Sequence, residues 1–182
     1  MAKLISKTYG DALFELALEE DRIDDYVAEV DAMLTIFRDN PELSKLLNHP
    51  KISKEEKITV VGQIFEGKIS KELLGLINMI VEKDRNNAME DIFKYFIDRV
   101  KEYKNIGVAK VTSAVELSDA QKSQVEKRLL ETTGYVKFEI SYDVDKDLIG
   151  GLVIRIGDRV VDSSIRTRLY ELTKELNKIQ MG

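Results

Sequence analysis

Residues able to do acid–base, nucleophilic or metal chemistry are few in this chain, and their spacing suits that chemistry poorly. Its 182 residues include no cysteine and one histidine, which excludes thiolate zinc sites, iron–sulfur clusters, disulfides and a cysteine nucleophile together. His49 sits in Asn48-His49-Pro50, which reads as a helix end and turn, and zinc sites made without thiolates usually take two or three imidazoles. The adjacent carboxylates Glu19-Glu20, Asp24-Asp25 and Glu55-Glu56 point in different directions if helical, and each pair lies near an expected helix end, where terminal electrostatics accounts for most of them. Asp143, Asp145 and Asp147 alternate like the opening of a calcium loop, without its glycine or its distal bidentate glutamate. Gly150-Gly151 with Gly157 lacks the spacing of a dinucleotide or phosphate loop and reads as close backbone packing followed by a tight turn. Arg155, Arg159, Arg166 and Arg168 fall within fourteen residues and could touch phosphates or RNA. Asp158 and Asp162 are interleaved with them and no aromatic stacking motif accompanies them, so solvated ion pairs are the favoured reading and an RNA-binding module the alternative. No catalytic, cofactor-binding or metal-binding residue emerges.

Composition sets the frame around this absence. Hydrophobic residues make up 43% and charged residues 34%, apolar enough to fold around at least one core. The longest stretch without charge is the nine positions from Leu73 to Val81, about half of the roughly 20 residues needed to cross a bilayer. Acids at Asp11, Glu15, Glu19 and Glu20 interrupt any secretory core, so a cytoplasmic chain beginning near Met1 is expected. The net charge of −5 is concentrated early: residues 1–50 carry 11 acids against 5 bases, whereas the remainder is nearly balanced. No phosphate-neutralising face follows from those totals.

The elements that would position any site begin with helices. Ile5, Tyr9, Ala12, Leu13 and Leu16, then Ile23, Val27, Val30, Leu34 and Phe37, recur at helical spacing. Asn40-Pro41 caps and opens a short third helix with Leu43, Leu46 and Leu47. Ser53 with Glu56 is a capping box for a fourth helix that Gly67 closes. Ser70 begins a fifth through about Val81, and Ala88 to Tyr103 a sixth. Residues 1–105 thus predict an all-α six-helix bundle. After Asn105-Ile106-Gly107 the period changes. Val108–Val115 reads as a strand; Ser118 with Gln121 opens a helix that Gly134 is placed to end; Val136 to Val144 alternate as a half-buried strand. Leu152, Ile154 and Ile156 turn back at Gly157-Asp158 into Arg159–Val161. Ile165, Leu169, Leu172, Leu176 and Ile179 then form a helical seam with steps of four and three. Residues 106–182 predict a small α+β module, and the chain an α+β two-domain protein.

Surplus apolar surface is the informative feature. At 100° per residue, Leu73, Leu74, Leu76, Ile77, Ile80 and Val81 share an arc of about 160°, with Met79 outside it. The first helix puts Ile5, Tyr9, Ala12, Leu13 and Leu16 on one face and Leu4, Phe14 and Leu18 roughly opposite. Central helices covered on two sides would explain this; so would a groove receiving an amphipathic helix, which needs apolar anchors and no reactive group.

The run Leu148-Ile149-Gly150-Gly151-Leu152-Val153-Ile154-Arg155-Ile156-Gly157-Asp158, continuing through Val160-Val161-Asp162-Ser163-Ser164-Ile165 to Arg168-Leu169, resembles the C-terminal signature of the delta subunit of bacterial F-type ATP synthases, the family of the mitochondrial oligomycin-sensitivity-conferring protein. Tyr9-Gly10-Asp11-Ala12-Leu13-Phe14-Glu15-Leu16-Ala17 is similar to that family's first helix, and Arg85-Asn86-Asn87-Ala88 to the turn between its fifth and sixth. The resemblance implies a noncatalytic stator subunit, without cofactors, monomeric within its complex and peripheral on the cytoplasmic face of the membrane. It implies that the N-terminal domain holds the N-terminal helix of an alpha subunit, with Tyr9, Ala12 and Leu13 on the first helix and Gly75 and Met79 on the fifth as contacts, and that the C-terminal domain meets the ends of the b subunits. Gly10 stands where members of that family often carry alanine; glycine costs about 1 kcal/mol relative to alanine inside a helix, so a softer first turn is expected.

Overall fold

The computed structural model describes the backbone of residues 2–180 and the side chains of residues 3–174. It is an α+β chain that divides into two compact units between Lys101 and Glu102, a few residues ahead of the change in sequence period at Asn105.

Helices build the first unit: α1 (Ala2–Glu19), α2 (Ile23–Asp39), α3 (Pro41–Leu47), α4 (Lys54–Phe65), α5 (Lys71–Glu82) and α6 (Met89–Tyr103), with a short 3-10 turn at Asn86–Ala88. Their starts follow local chemistry. Ser53 accepts from the Glu56 backbone N–H while Glu56 returns a bond to the Ser53 N–H, the reciprocal pair expected of the capping box. Ser70 caps α5 through the Leu73 N–H. Asn40 departs from expectation: its side chain makes no cap bond to α3 and donates back to the Ile36 carbonyl, closing α2. Pro41 still occupies the first turn of α3, where its missing N–H costs nothing. All six helices contribute to one apolar core, from Tyr9 and Leu13 through Phe65, Ile77 and Phe93 to Val100. Full burial of a large aliphatic or aromatic side chain is worth roughly 1.5–3 kcal/mol.

The first helix is organised differently from the two-faced expectation. Phe14 is buried beneath the Arg99 guanidinium, whose carbon lies 5.3 Å from the ring centroid, and only Leu4 and Leu18 of the opposite set remain exposed. Gly10 has a packing role on α1. It is buried, and a Cβ built on it would overlap the ring of Tyr95 on α6, so glycine there admits a close approach between helices.

The second unit is a four-stranded sheet, β1 (Ile106–Ser113), β2 (Lys137–Val144), β3 (Leu152–Ile156) and β4 (Arg159–Asp162), with α7 (Asp119–Thr132) and α8 (Ile165–Gln180). The order is β2-β1-β3-β4. β1 and β2 are parallel, with Gly107 opposite Phe138 and Val111 opposite Tyr142, joined by the α7 crossover. β3 runs antiparallel to β1 and β4 antiparallel to β3. β1 therefore ends two residues before the expected Val115, which lies beyond the ladder and is exposed. Gly134 does not terminate α7 as expected. The helix ends at Thr132; Thr133 is already extended, and its hydroxyl donates to the Leu129 carbonyl at 2.7 Å. Gly151, at φ +80°, lets the chain pass against the Ser163 backbone, and Gly157, at φ +55°, turns the β3–β4 hairpin. Of the α8 seam, the side chains of Leu176 and Ile179 lie outside the described residues; Ile165, Leu169 and Leu172 are exposed.

Candidate partner-binding site

α5 is pinned at both ends. At its start the Ser70 N–H and hydroxyl both donate to Glu29 of α2, at 2.8 and 2.7 Å. At its end Lys54 of α4 donates to the Glu82 carbonyl and pairs with Asp84, both at 2.7 Å. Leu73, Ile77, Ile80 and Val81 point into the core. The helical period then forces Gly75 and Met79 outward: Met79 is 49% exposed, and a Cβ at Gly75 would meet no atom within 4 Å. Between them, the Asn78 Oδ1 is buried without a hydrogen-bond partner.

The α1 residues divide. Ala12 is exposed, whereas Leu13 (1% exposed) and Tyr9 (9%) belong to the core that also contains Leu73 and Ile77. Tyr9 keeps a polar tie. The Arg85 Nη1 donates to its hydroxyl at 3.1 Å, and the guanidinium carbon lies 5.4 Å from the ring centroid. Arg85 follows the last turn of α5, its backbone N–H bonded to the Ile80 carbonyl. It therefore links the C-terminal end of α5 to α1, a role that its type and position in Arg85-Asn86-Asn87-Ala88 do not disclose. Tyr9, Ala12, Leu13, Gly75 and Met79 thus share one helical unit, with Ala12, Gly75 and Met79 at its surface.

A second apolar surface was not anticipated. α7 lays Val125 and Leu129 over Ala109, Phe138 and Ile140, the β1–β2 half of one sheet face. The β3 half of that face opens into a cleft of about 650 Å³ lined by Val115, Leu117, Ile149, Leu152 and Ile154 together with Val125 and Leu129. One helix cannot cover four strands. Alternation along each strand shows an inward face but not how much of it a neighbour will roof. Ile149 at the mouth is a β-branched residue held at φ +67° and 63% exposed, a strained backbone of the kind that persists only where surroundings enforce it.

The remaining candidates take structural parts. His49 is an exposed turn residue whose Nδ1 accepts from the Lys51 N–H. The Asp145 side chain accepts from the Asp147 N–H and Asp143 pairs with Lys110, and no cluster with metal-ligand geometry occurs among the described residues. Arg155, Arg159, Arg166 and Arg168 are exposed. Asp162, expected among their ion-pair partners, accepts from the Ser164 N–H at 2.8 Å and from the Thr167 hydroxyl at 2.7 Å and also feels the charge of Arg166. Those bonds, the backbone one foremost, hold its carboxyl below the usual range. No helix among the described residues is long and apolar enough to cross a membrane.

Comparison with known proteins matches this architecture along its length. A family model described as the ATP synthase delta (OSCP) subunit matches residues 5–176. ATP synthase subunit delta of Lachnoclostridium phytofermentans is 53% identical over 182 residues, covering 100% of both chains. The subunit of the same name from Desulfitobacterium hafniense is 34% identical over 173 residues, covering 95% of this chain and 96% of that one. Among solved structures, a chain in the cryo-EM structure of the Toxoplasma gondii mitochondrial ATP synthase hexamer shares the fold, with a TM-score of 0.74 over 94% of this chain and 96% of that one at 19% identity. Nothing in these matches supports the RNA-binding alternative. With its helical unit, its β2-β1-β3-β4 sheet and a full-length relative at 53% identity, the chain belongs to the ATP synthase delta (OSCP) subunit family, whose members are structural and not catalytic subunits of that enzyme.

Proposed function

We propose that the chain is a stator subunit, joining the catalytic head of an F-type ATP synthase to its peripheral stalk so that rotor torque is coupled to ATP synthesis or hydrolysis. The helical unit, read as the family's six-helix bundle, receives the N-terminal helix of an alpha subunit; the α+β unit meets the C-terminal ends of the b subunits. The protein would sit, as a monomer within the complex, on the cytoplasmic face of a membrane it does not cross. Such a link needs stiff elements and slowly dissociating apolar contacts, and it needs no tuned acid, base or metal.

The observation that carries this reading is the outward face of α5, where Met79 and the open backbone at Gly75 stand on a helix held firmly at both ends. An apolar anchor beside a position without a side chain suits close approach by a guest helix. Leu13 has little surface left to offer, so on α1 the contact would fall mainly to Ala12 and the rim of Tyr9. Isothermal titration of the full chain with a peptide of the alpha-subunit N-terminal helix tests it. Met79→Asp should weaken binding at least about tenfold (~1.4 kcal/mol) with the circular dichroism spectrum unchanged, and Ala12→Asp should act in the same direction. Equal affinity for the parent and both variants would remove the site.

A further inference from the structure

Where α1 meets α6 the two helices are locked over a single turn. The Tyr95 ring occupies the space that a Cβ at Gly10 would take. Its hydroxyl donates to the Asp11 Oδ1 at 3.0 Å. Arg99, one turn farther along α6, brings its Nε to 3.7 Å from the same oxygen and its guanidinium over Phe14. Three consecutive grips, on Gly10, Asp11 and Phe14, fall on one side of α1. On a helix with 3.6 residues per turn, Ala12 projects from nearly the opposite side to Gly10, and Ala17 from close to the same side. The exposures agree: Ala12 is exposed and Ala17 fully buried.

We infer that Tyr95 is the positioning residue for α1: its ring seated on Gly10 and its hydroxyl on Asp11 fix the roll of the helix about its own axis, and so decide that Ala12 is presented to a partner. This deepens the proposed docking role and rests on it only for the consequence in binding; the roll itself is a property of the free chain. A larger residue at position 10 must either displace the half-buried Tyr95 ring or shift α1 against α6, and to the extent that the ring holds its place the roll of α1 changes. The lock is steric first and polar second. Relieving the ring should therefore rescue an alanine at position 10, although each change alone removes something.

The chain contains no cysteine, so single thiols report the roll directly. Ala12→Cys and Ala17→Cys are made separately in the full chain and labelled with a thiol reagent. In the parent background the thiol at position 12 should react at least about a hundredfold faster than that at 17. Gly10→Ala should shrink that ratio at least tenfold. Gly10→Ala combined with Tyr95→Ala should restore most of it, and Tyr95→Phe, which keeps the ring and loses only the bond to Asp11, should shift it less. General loosening would raise both rates in the single and double variants alike; sign reversal by the second substitution is specific to the lock. An unchanged ratio in Gly10→Ala, or no rescue in the double variant, overturns the inference. Titration with the alpha-subunit peptide separates the two readings. A ratio that collapses while peptide affinity stays constant supports the lock and sinks docking at Ala12. Affinity that falls and recovers with the ratio supports both.

Discussion

The two units spend their apolar residues in opposite ways. Among the described residues of the helical unit, twenty-two buried apolar side chains form one cluster, and the large hydrophobics left exposed are Leu4, Leu18 and Met79. Among the described residues of the α+β unit, the corresponding cluster has three buried members, Ala109, Leu129 and Phe138, while Val115, Ile149, Val160, Val161, Ile165, Leu169 and Leu172 are exposed. Helices of this length can wrap one another until their stripes are consumed. A four-stranded sheet with α7 over half of one face cannot. Among the described residues the first unit closes its own core, whereas the second leaves the cleft beside β3 and the apolar residues of α8 uncovered.

The largest expected effects test that contrast by truncation. Phe93 is wholly buried on α6, so Phe93→Ala should cost about 3–5 kcal/mol in denaturant unfolding of the full chain. Leu152 is half-buried at the cleft, where its loss leaves no closed cavity, and Leu152→Ala should cost about 1 kcal/mol. Hydrogen exchange of the unmodified chain should rank the units alike, with β3, β4 and α8 opening well before α5 and α6. Comparable costs for the two substitutions would show that the α+β unit has a closed core after all.

Alkaline titration sharpens the comparison from the other side. Tyr26 is fully buried in the helical unit and donates to Glu20 at 2.9 Å. Burial first, then that hydrogen bond, pushes its hydroxyl up to about 12 from the ordinary value near 10. Above pH 10 the unfolded chain loses this proton before the folded one does. The contribution of Tyr26 is therefore complete below pH 10 and is lost as pH rises toward 12. Stability of the helical unit, followed by helical ellipticity in denaturant, should decline across that window. Tyr26→Phe should flatten the decline and cost about 1 kcal/mol at neutral pH. A slope that survives the substitution assigns the loss elsewhere.

What could be read from the sequence was what neighbours in sequence decide. The Ser53–Glu56 and Ser118–Gln121 boxes, the Ser70 cap, the Gly157 hairpin and the outward turn of Met79 depend on residues within one or two turns, and the structure has each of them. What could not be read depends on remote partners. Phe14 lies inside because Arg99 covers it, and Gly10 is tight because of Tyr95, while Asp11 takes its hydrogen bond from a hydroxyl 84 positions away. Gly134 is a plausible helix stop, but the backbone leaves the helix one residue earlier, at the extended Thr133. The open cleft is not legible in the sequence because strand alternation is identical for a face that is roofed and one that is not. Of the five residues that the family resemblance nominates, Met79 is placed outward by periodicity and Gly75 comes from the resemblance alone, while the structure buries Leu13 and leaves Ala12 exposed.

The smallest effect concerns the joint that launches α8 from the sheet. Ser164 is fully buried; its hydroxyl accepts from the Thr167 N–H at 3.2 Å, the geometry of an N-cap, while its own N–H donates to Asp162. Because those bonds hold the Asp162 carboxyl below its usual range, the joint contributes fully above that range and weakens as pH falls through the lowered value. Ser164→Ala removes the cap and should cost about 1 kcal/mol, with hydrogen exchange rising in the first turns of α8 and unchanged in α5 and α6. The same local loosening should appear in the parent only once the pH falls below the usual carboxylate range, and be blunted in the variant, where the joint is already open. If acid loosened the helical unit first, the α+β unit would not be the weaker partner in this chain, and the contrast between a closed core and an open one would have to be explained by something other than how much apolar surface each fold can cover.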